Sequence, residues 1–132
     1  MLFRSQMILN DGKGNGNRVF KKSTVDLMSK YAMGKIRVTM LKPAGQGASN
    51  DAEFFPGVPK GWGLSFMTNE EQAPTGRSKG SLAWAGLANS YYWIDRTKGV
   101  GGVLATQILP FADVKALPLF YNFETAVYQS LG

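Results

Sequence analysis

The 132-residue chain contains no cysteine and no histidine. Without cysteine there is no disulfide framework and no thiolate metal site. Without histidine, most zinc sites and every Ser-His-Asp triad are excluded, so any hydrolytic chemistry would need a lysine, tyrosine or carboxylate base. No metal and no cofactor is expected. No apolar run approaches the roughly 20 residues that a membrane-spanning helix needs. The start, MLFRSQMILN, lacks the small-residue cleavage site of a signal peptide, and the compartment stays undetermined. Acids are scarce in the first fifty positions, where only Asp11 and Asp26 face Arg4, Lys13, Arg18, Lys21, Lys22, Lys30, Lys35, Arg37 and Lys42. Within a net charge of +6, this excess suits a phosphate-binding surface, a solvated face, or one half of a charge distribution completed by another polypeptide. The cations are dispersed, and Phe20 and Tyr31 lack the spacing of a stacking platform, so nucleic acid is not the expected partner.

What is present reads as one globular domain over 1–132, with 44% hydrophobic and 18% charged residues and length for a modest core. LFRSQMIL over 2–9 reads as the tail of an amphipathic helix, with Phe3 and Met7, then Leu2 and Ile8, inward. NDGKGNGN breaks it as a turn: no strand precedes the glycines for a phosphate loop, and Lys13 sits where a calcium ligand should be. Ser23 is the expected N-cap of a second helix, TVDLMSKYAM, with Asp26 in its capping box and Gly34 as its stop. KIRVTML reads as extended. Residues 43–60, rich in proline and glycine, are expected to be a long surface loop inside the domain.

From Gly61 the period becomes that of strands, expected at about 61–68, 81–87, 90–95 and 100–108. GWGLSFMTN places Trp62, Leu64 and Phe66 on one face. SLAWAGL places Leu82, Trp84 and Gly86 on one face and Ala83 and Ala85 on the other. A tight Ala88-Asn89 turn then leads into SYYWID. VGGVLATQIL, apolar on both sides, reads as an interior strand. A last helix over DVKALPLFYNFETAVYQSL, capped by Asp113, should press Phe120, Phe123 and Val127 on the sheet, with Gly101 and Gly102 allowing its close approach. Pro118 marks a kink or the first turn of that helix. The expected class is α+β: an antiparallel meander with N-terminal helices and a covering C-terminal helix.

The order WGLSF, GRSKGSLAWAGLANSYYWID, GVGGVLATQILPFAD and a terminal helix resembles the C-terminal part of serine β-lactamase-like hydrolases. Within that penicillin-binding-protein-like superfamily it is most similar to the class C group that includes family VIII carboxylesterases. QMILNDG and the helix TVDLM resemble the segments ahead of that family's last strands. The resemblance implies that Trp84-Ala85-Gly86 stands for the family's Lys-Thr-Gly or Trp-x-Gly motif. Trp84 would then face the cleft, Gly86 would let substrate lie against the strand, and the Leu87 N–H would be one of two oxyanion-hole donors. On the residues alone, small and aromatic side chains alternating on a central strand are ordinary core packing.

The family's other two motifs are missing. No serine is followed three residues later by lysine, and no tyrosine is followed two residues later by asparagine. The catalytic nucleophile and base are therefore absent, and the resemblance implies a truncated chain whose helical domain and first two strands would precede Met1. Residues 1–5 fall outside the match, and Leu-Phe-Arg-Ser is encoded by a common sequencing-adapter string, so these residues are expected to be non-native. The expected function is one wall of a serine hydrolase acting on an ester, amide or β-lactam, inactive alone. The alternatives are a binding or assembly module that self-associates through an exposed sheet edge, a shortened enzyme using Ser81 or Ser90 with Lys79 or Tyr91, and a basic nucleic-acid module.

Overall fold

Alternation along SYYWID sets the architecture, because both faces of that strand carry large apolar side chains and both must be covered. In a computed structural model, residues 2–45 and 47–132 are described, except the side chains of Leu2 and Phe3. The expectation that these two side chains point inward lies outside the described residues. The elements run α1 (Leu2–Leu9), β1 (Lys13–Gly14), β2 (Asn17–Arg18), α2 (Lys22–Ser29), β3 (Lys60–Trp62), β4 (Met67–Asn69), β5 (Leu82–Gly86), β6 (Ser90–Asp95), β7 (Val100–Leu104) and α3 (Ala116–Ser130). Strands β3 to β7 form one antiparallel sheet in chain order, and β1–β2 is a minimal hairpin of its own. The class is α+β, as the periodicities indicate.

Three layers result. Tyr91 and Trp93 of β6 join Ala83 of β5 under Phe120 and Tyr128 of α3. On the opposite face, Leu82 and Ile94 meet Ile8 of α1 and Val25 of α2. Trp93 is fully buried, edge-on to Phe120 at 5.7 Å between ring centroids and to Phe123 at 5.4 Å. Gly102 serves this tryptophan rather than the helix: a Cβ there would lie 2.2 Å from the indole ring.

Several expectations are corrected. Residues 61–68 are not one strand, because the chain bends after Trp62 and β3 pairs back on β4 with Trp62 opposite Met67. Leu64 sits in that bend and is exposed. Ser23 is not a helix cap: α2 begins at Lys22 without a side-chain cap and stops at Ser29, short of Gly34. Asp26 instead accepts hydrogen bonds from Lys22 at 2.7 Å and Arg96 at 2.7 Å, and these two cations hold its carboxyl below the usual range. Strand β7 ends at Leu104, and among the described residues its one neighbour is β6, so it is an edge rather than an interior strand. The segment 43–60 is without helix up to β3; its first part is mostly exposed among the described residues, while its second part turns into the core. Ala52, Phe54 and Phe55 are core residues, and an antiparallel bridge joins Ala52 to Leu41. Lys60 is buried behind this segment, its Nζ donating to the carbonyls of Phe55 at 3.1 Å and Val58 at 2.7 Å; burial lowers its pKa.

The start of α3 joins the two sequence-level readings. Asp113 Oδ1 accepts the N–H groups of Lys115 and Ala116, both at 2.9 Å, which supplies first-turn donors with the acceptor they otherwise lack. Pro118 lies in that same opening turn, where its missing N–H costs no intrahelical bond. The buried stripe of α3 is Ala116, Phe120, Glu124 and Tyr128, so a carboxylate occupies a position the apolar pattern had not marked.

Candidate functional site

Strand β5 outruns its neighbour. Its pairing with β4 covers Met67 opposite Ala83 and Thr68 opposite Leu82, while its pairing with β6 continues through Trp84, Ala85 and Gly86. The Asn69 N–H donates to the Ser81 carbonyl, so odd-numbered residues of β5 turn their backbone groups toward β4 and even-numbered ones toward β6. Ala85 therefore directs its N–H and carbonyl to the side where β4 has stopped. The Leu87 N–H follows in the same direction, and among the described residues it has no hydrogen-bond partner.

The side chains leave that edge accessible. Leu87 is 58% exposed. Trp84 is half-buried, edge-on to Trp62 at 4.4 Å between centroids and 6.4 Å from Phe54, so a tryptophan pair closes the space beside the bend after β3. Gly86 is informative by contrast with Gly102. A Cβ added at Gly86 would meet nothing closer than 3.9 Å, and its φ is outside the left-handed region. Among the described residues, neither backbone geometry nor packing requires glycine at 86.

The end of β5 is held from behind by a residue that sequence reasoning passed over. The expected two-residue turn is a three-residue loop, 87–89, between Gly86 and its partner Ser90, closed by Asn89 at φ 58°. Three-residue hairpin loops end in such a left-handed residue. Asn89 is fully buried. Its Nδ2 donates to the carbonyls of Ile108 and Pro110, each at 2.7 Å. Its Oδ1 accepts the Tyr91 hydroxyl at 2.6 Å and the Asp113 N–H at 3.0 Å. One amide thus ties the β5–β6 hairpin to the segment leading into α3. Asparagine in a hairpin loop was the available signal, but three of its four partners are long-range and leave no trace in local pattern.

The serines weighed as replacement nucleophiles do not form a site. Ser81 is 2% exposed, its Oγ has no partner among the described residues, and Lys79 beside it in sequence is exposed. Ser90 Oγ is engaged with the Thr106 carbonyl at 3.1 Å and N–H at 3.2 Å. The Tyr91 hydroxyl donates a hydrogen bond to Asn89 Oδ1, and burial pushes its pKa up to about 12. A buried phenol that is already a donor is no general base near neutrality.

Burial has the same effect on Tyr121, pushed up to about 12. Tyr128 is raised further, first by burial and then by its hydrogen bond to the Asp95 carboxylate at 2.9 Å. Because these folded-state values lie above the usual phenol value, the stability they contribute is present below pH ~10 and is lost as pH rises through the folded values. The thermal midpoint should therefore fall above about pH 10, and phenolate absorbance should rise together with unfolding. A midpoint unchanged to pH ~11 would show that these hydroxyls ionise freely in the folded chain.

No protein-family model matches the chain, and no curated protein matches it. Among solved structures, simvastatin synthase (LovD) from Aspergillus terreus aligns in its LovD6 mutant form with a TM-score of 0.72 and 22% identity, over 96% of this chain and 32% of the synthase. The unliganded enzyme aligns with a TM-score of 0.71 and 23% identity, over 96% of this chain and 33% of its own. The chain thus spans about a third of the length of the structures it matches. Its five-stranded antiparallel sheet and covering C-terminal helix form a partial β-lactamase-like fold.

Proposed function

We propose that these residues are one wall of a serine-hydrolase-like site for an ester, amide or β-lactam, inactive without the N-terminal half that supplies nucleophile and base. Trp84, Ala85 and Gly86 line that wall, and the Leu87 N–H is one oxyanion donor. The observation that carries the reading is Gly86. It lies where β5 has outrun β4, next to the Leu87 N–H, which has no partner among the described residues, and no described residue's packing calls for a glycine there. A group approaching from outside accounts for it, since a bare backbone permits closer contact than any side chain. The 132 residues contain neither Ser-x-x-Lys nor Tyr-x-Asn, so the nucleophile and base of such a site have to come from outside them.

The test is complementation. The purified chain should not turn over p-nitrophenyl esters, and activity should appear on adding a separately expressed N-terminal half of a β-lactamase-like hydrolase. Gly86→Val should leave stability within about 0.5 kcal/mol, as expected where no packing is disturbed, yet lower the complemented rate by about 100-fold or more. Turnover by the chain alone, lost in Ser81→Ala or Ser90→Ala, would overturn the proposal. A second reading, an assembly module, is favoured by the open edge of β7. It requires a concentration-dependent dimer by sedimentation, since unpaired ladder groups invite strand addition.

A further inference from the structure

The glycine-rich break NDGKGNGN takes no part in the proposed site, and it holds a chemistry of its own. It contains the chain's one Asp-Gly dipeptide, Asp11-Gly12, and its one Asn-Gly dipeptide, Asn15-Gly16. Glycine lacks the Cβ that would shield its backbone nitrogen. That nitrogen can close a five-membered ring on the side-chain carbonyl carbon of the residue before it. The two dipeptides look alike in sequence, and the fold separates them.

Asp11-Gly12 is locked. The Gly12 N–H donates to the Met7 carbonyl at 2.8 Å, and the Asp11 carboxylate accepts from Arg96 at 2.5 Å. Gly12 is buried, and a Cβ there would lie 2.1 Å from the Phe20 carbonyl oxygen, so the backbone has no room to turn. Asn15-Gly16 is open. It forms the two-residue loop of the β1–β2 hairpin, between Gly14 and its partner Asn17. Both loop residues are exposed, and a Cβ at Gly16 would meet nothing within 4 Å. Among the described residues, neither the Asn15 side chain nor the Gly16 N–H has a hydrogen-bond partner. The loop dihedrals, φ 49° at Asn15 and 77° at Gly16, are those of a tight left-handed turn, and ring closure requires the chain to leave it. Two residue pairs, Lys13 opposite Arg18 and Gly14 opposite Asn17, oppose that opening. A hairpin this short is marginal and opens locally.

We infer that Asn15 is a self-modifying site, converted to isoaspartate or aspartate with water as the co-reactant. The Gly16 nitrogen bonds to Asn15 Cγ, the Cγ–Nδ2 bond breaks, and the amide nitrogen leaves as ammonia with the proton that Gly16 gives up. Water then opens the cyclic imide. Cleavage between the Gly16 nitrogen and Cγ gives aspartate. Cleavage between that nitrogen and the main-chain carbonyl carbon gives isoaspartate, whose backbone runs through Cβ and Cγ. Either product turns one neutral amide into one anion, taking the net charge from +6 to +5. Isoaspartate also lengthens a two-residue loop by one backbone carbon. The strands then lose their register, and the hairpin is released from the Gly12 carbonyl, which accepts the Val19 and Phe20 N–H groups at 2.8 and 3.1 Å.

The test is ageing of the full chain at mildly alkaline pH, followed by peptide mapping by mass spectrometry. Isoaspartate is quantified by methyl transfer from labelled S-adenosylmethionine with an isoaspartyl methyltransferase. Residue 15 should convert first, and faster as pH rises, since the attacking nitrogen must lose its proton. It should outpace Asn89 about ten-fold or more, because that buried amide reacts only after its surroundings open. Asp11 should stay unisomerised over the same period. In urea, Asn89 and Asp11 should both gain on Asn15. In the isoaspartate fraction, the Val19 and Phe20 N–H groups should exchange with deuterium faster than in the unaged chain. Conversion of folded Asn15 no faster than that of Asn89, isomerisation of Asp11 at a comparable rate, or ratios unchanged by urea would overturn the inference. Unchanged amide exchange in the isoaspartate fraction would overturn the release of the hairpin.

Discussion

Glu124→Ala is expected to destabilise the chain by about 3–5 kcal/mol, measured as a lower urea midpoint by tryptophan fluorescence. Glu124 is fully buried within the inner stripe of α3, and Arg77 is 2% exposed. The arginine Nε donates to Oε1 at 2.8 Å, its terminal nitrogen donates to Oε2, and the Thr75 hydroxyl adds a third bond to Oε1 at 2.5 Å. The guanidinium also lies over the Phe55 ring, 5.0 Å from its centroid. This cluster fastens the 70–81 connection, the core end of the 43–60 segment and α3 to one another. Removing the carboxylate leaves a buried cation with no counter-charge and a threonine hydroxyl with no acceptor, which explains why the expected loss exceeds that of a surface pair. The paired substitution Arg77→Met with Glu124→Leu should recover most of the loss, because it removes both charges and keeps apolar volume. A loss below about 1 kcal/mol in Glu124→Ala would mean that water reaches the pair.

That cluster also marks where the sequence stops being readable. The strands 81–87 and 90–95, the Asp113 cap and the C-terminal helix are local: alternation, a capping side chain and a helical stripe each act within a few residues. Of the mistaken expectations, the bend after Trp62, the uncapped start of α2 and the 87–89 loop are local, and the others depend on long-range partners. Arg77 sits in a polar connection and Glu124 in an apolar stripe, and neither position indicates that they meet across 47 residues. Apolarity on both sides of β7 reported what covers its faces but could not count its neighbours. Asp26 looked like a capping-box residue, and it is drawn instead to Arg96, 70 residues away. Phe54 and Phe55 lie in a segment whose proline and glycine content describes its backbone correctly and its burial wrongly. For the candidate site, Trp84 to Leu87 were singled out through the family resemblance alone. The open edge beside them depends on β4 beginning only at Met67, which no local pattern in β5 records.

Asn89 offers the sharper probe of that edge, because its backbone and side-chain contributions can be separated. Asn89→Ala should cost about 3 kcal/mol or more. It strands the Tyr91 hydroxyl and the Asp113 N–H without acceptors and leaves two carbonyls without a donor, each a buried polar loss of about 1–3 kcal/mol before relaxation. It also places a Cβ residue without a local hydrogen-bonding side chain at φ 58°, a penalty of about 1–2 kcal/mol. Asn89→Gly removes the same hydrogen bonds but carries no left-handed penalty, so it should lie between wild type and Asn89→Ala in urea midpoint. Asn89→Asp keeps an acceptor for Tyr91 and Asp113 but turns an oxygen toward the Ile108 and Pro110 carbonyls, and should gain nothing over glycine. Equal midpoints for the glycine and alanine variants would show that the loop relaxes out of its left-handed turn. The glycine variant bears most on the proposed site. It removes the side-chain ties to Ile108, Pro110 and Asp113 but keeps those from Thr106 and Ile108 to the Ala88 carbonyl, so the loop carrying the Leu87 N–H is loosened without being detached. Assayed well below its midpoint in the complemented system, Asn89→Gly should therefore lower kcat more than it raises KM, since an oxyanion donor acts on the transition state rather than on bound substrate.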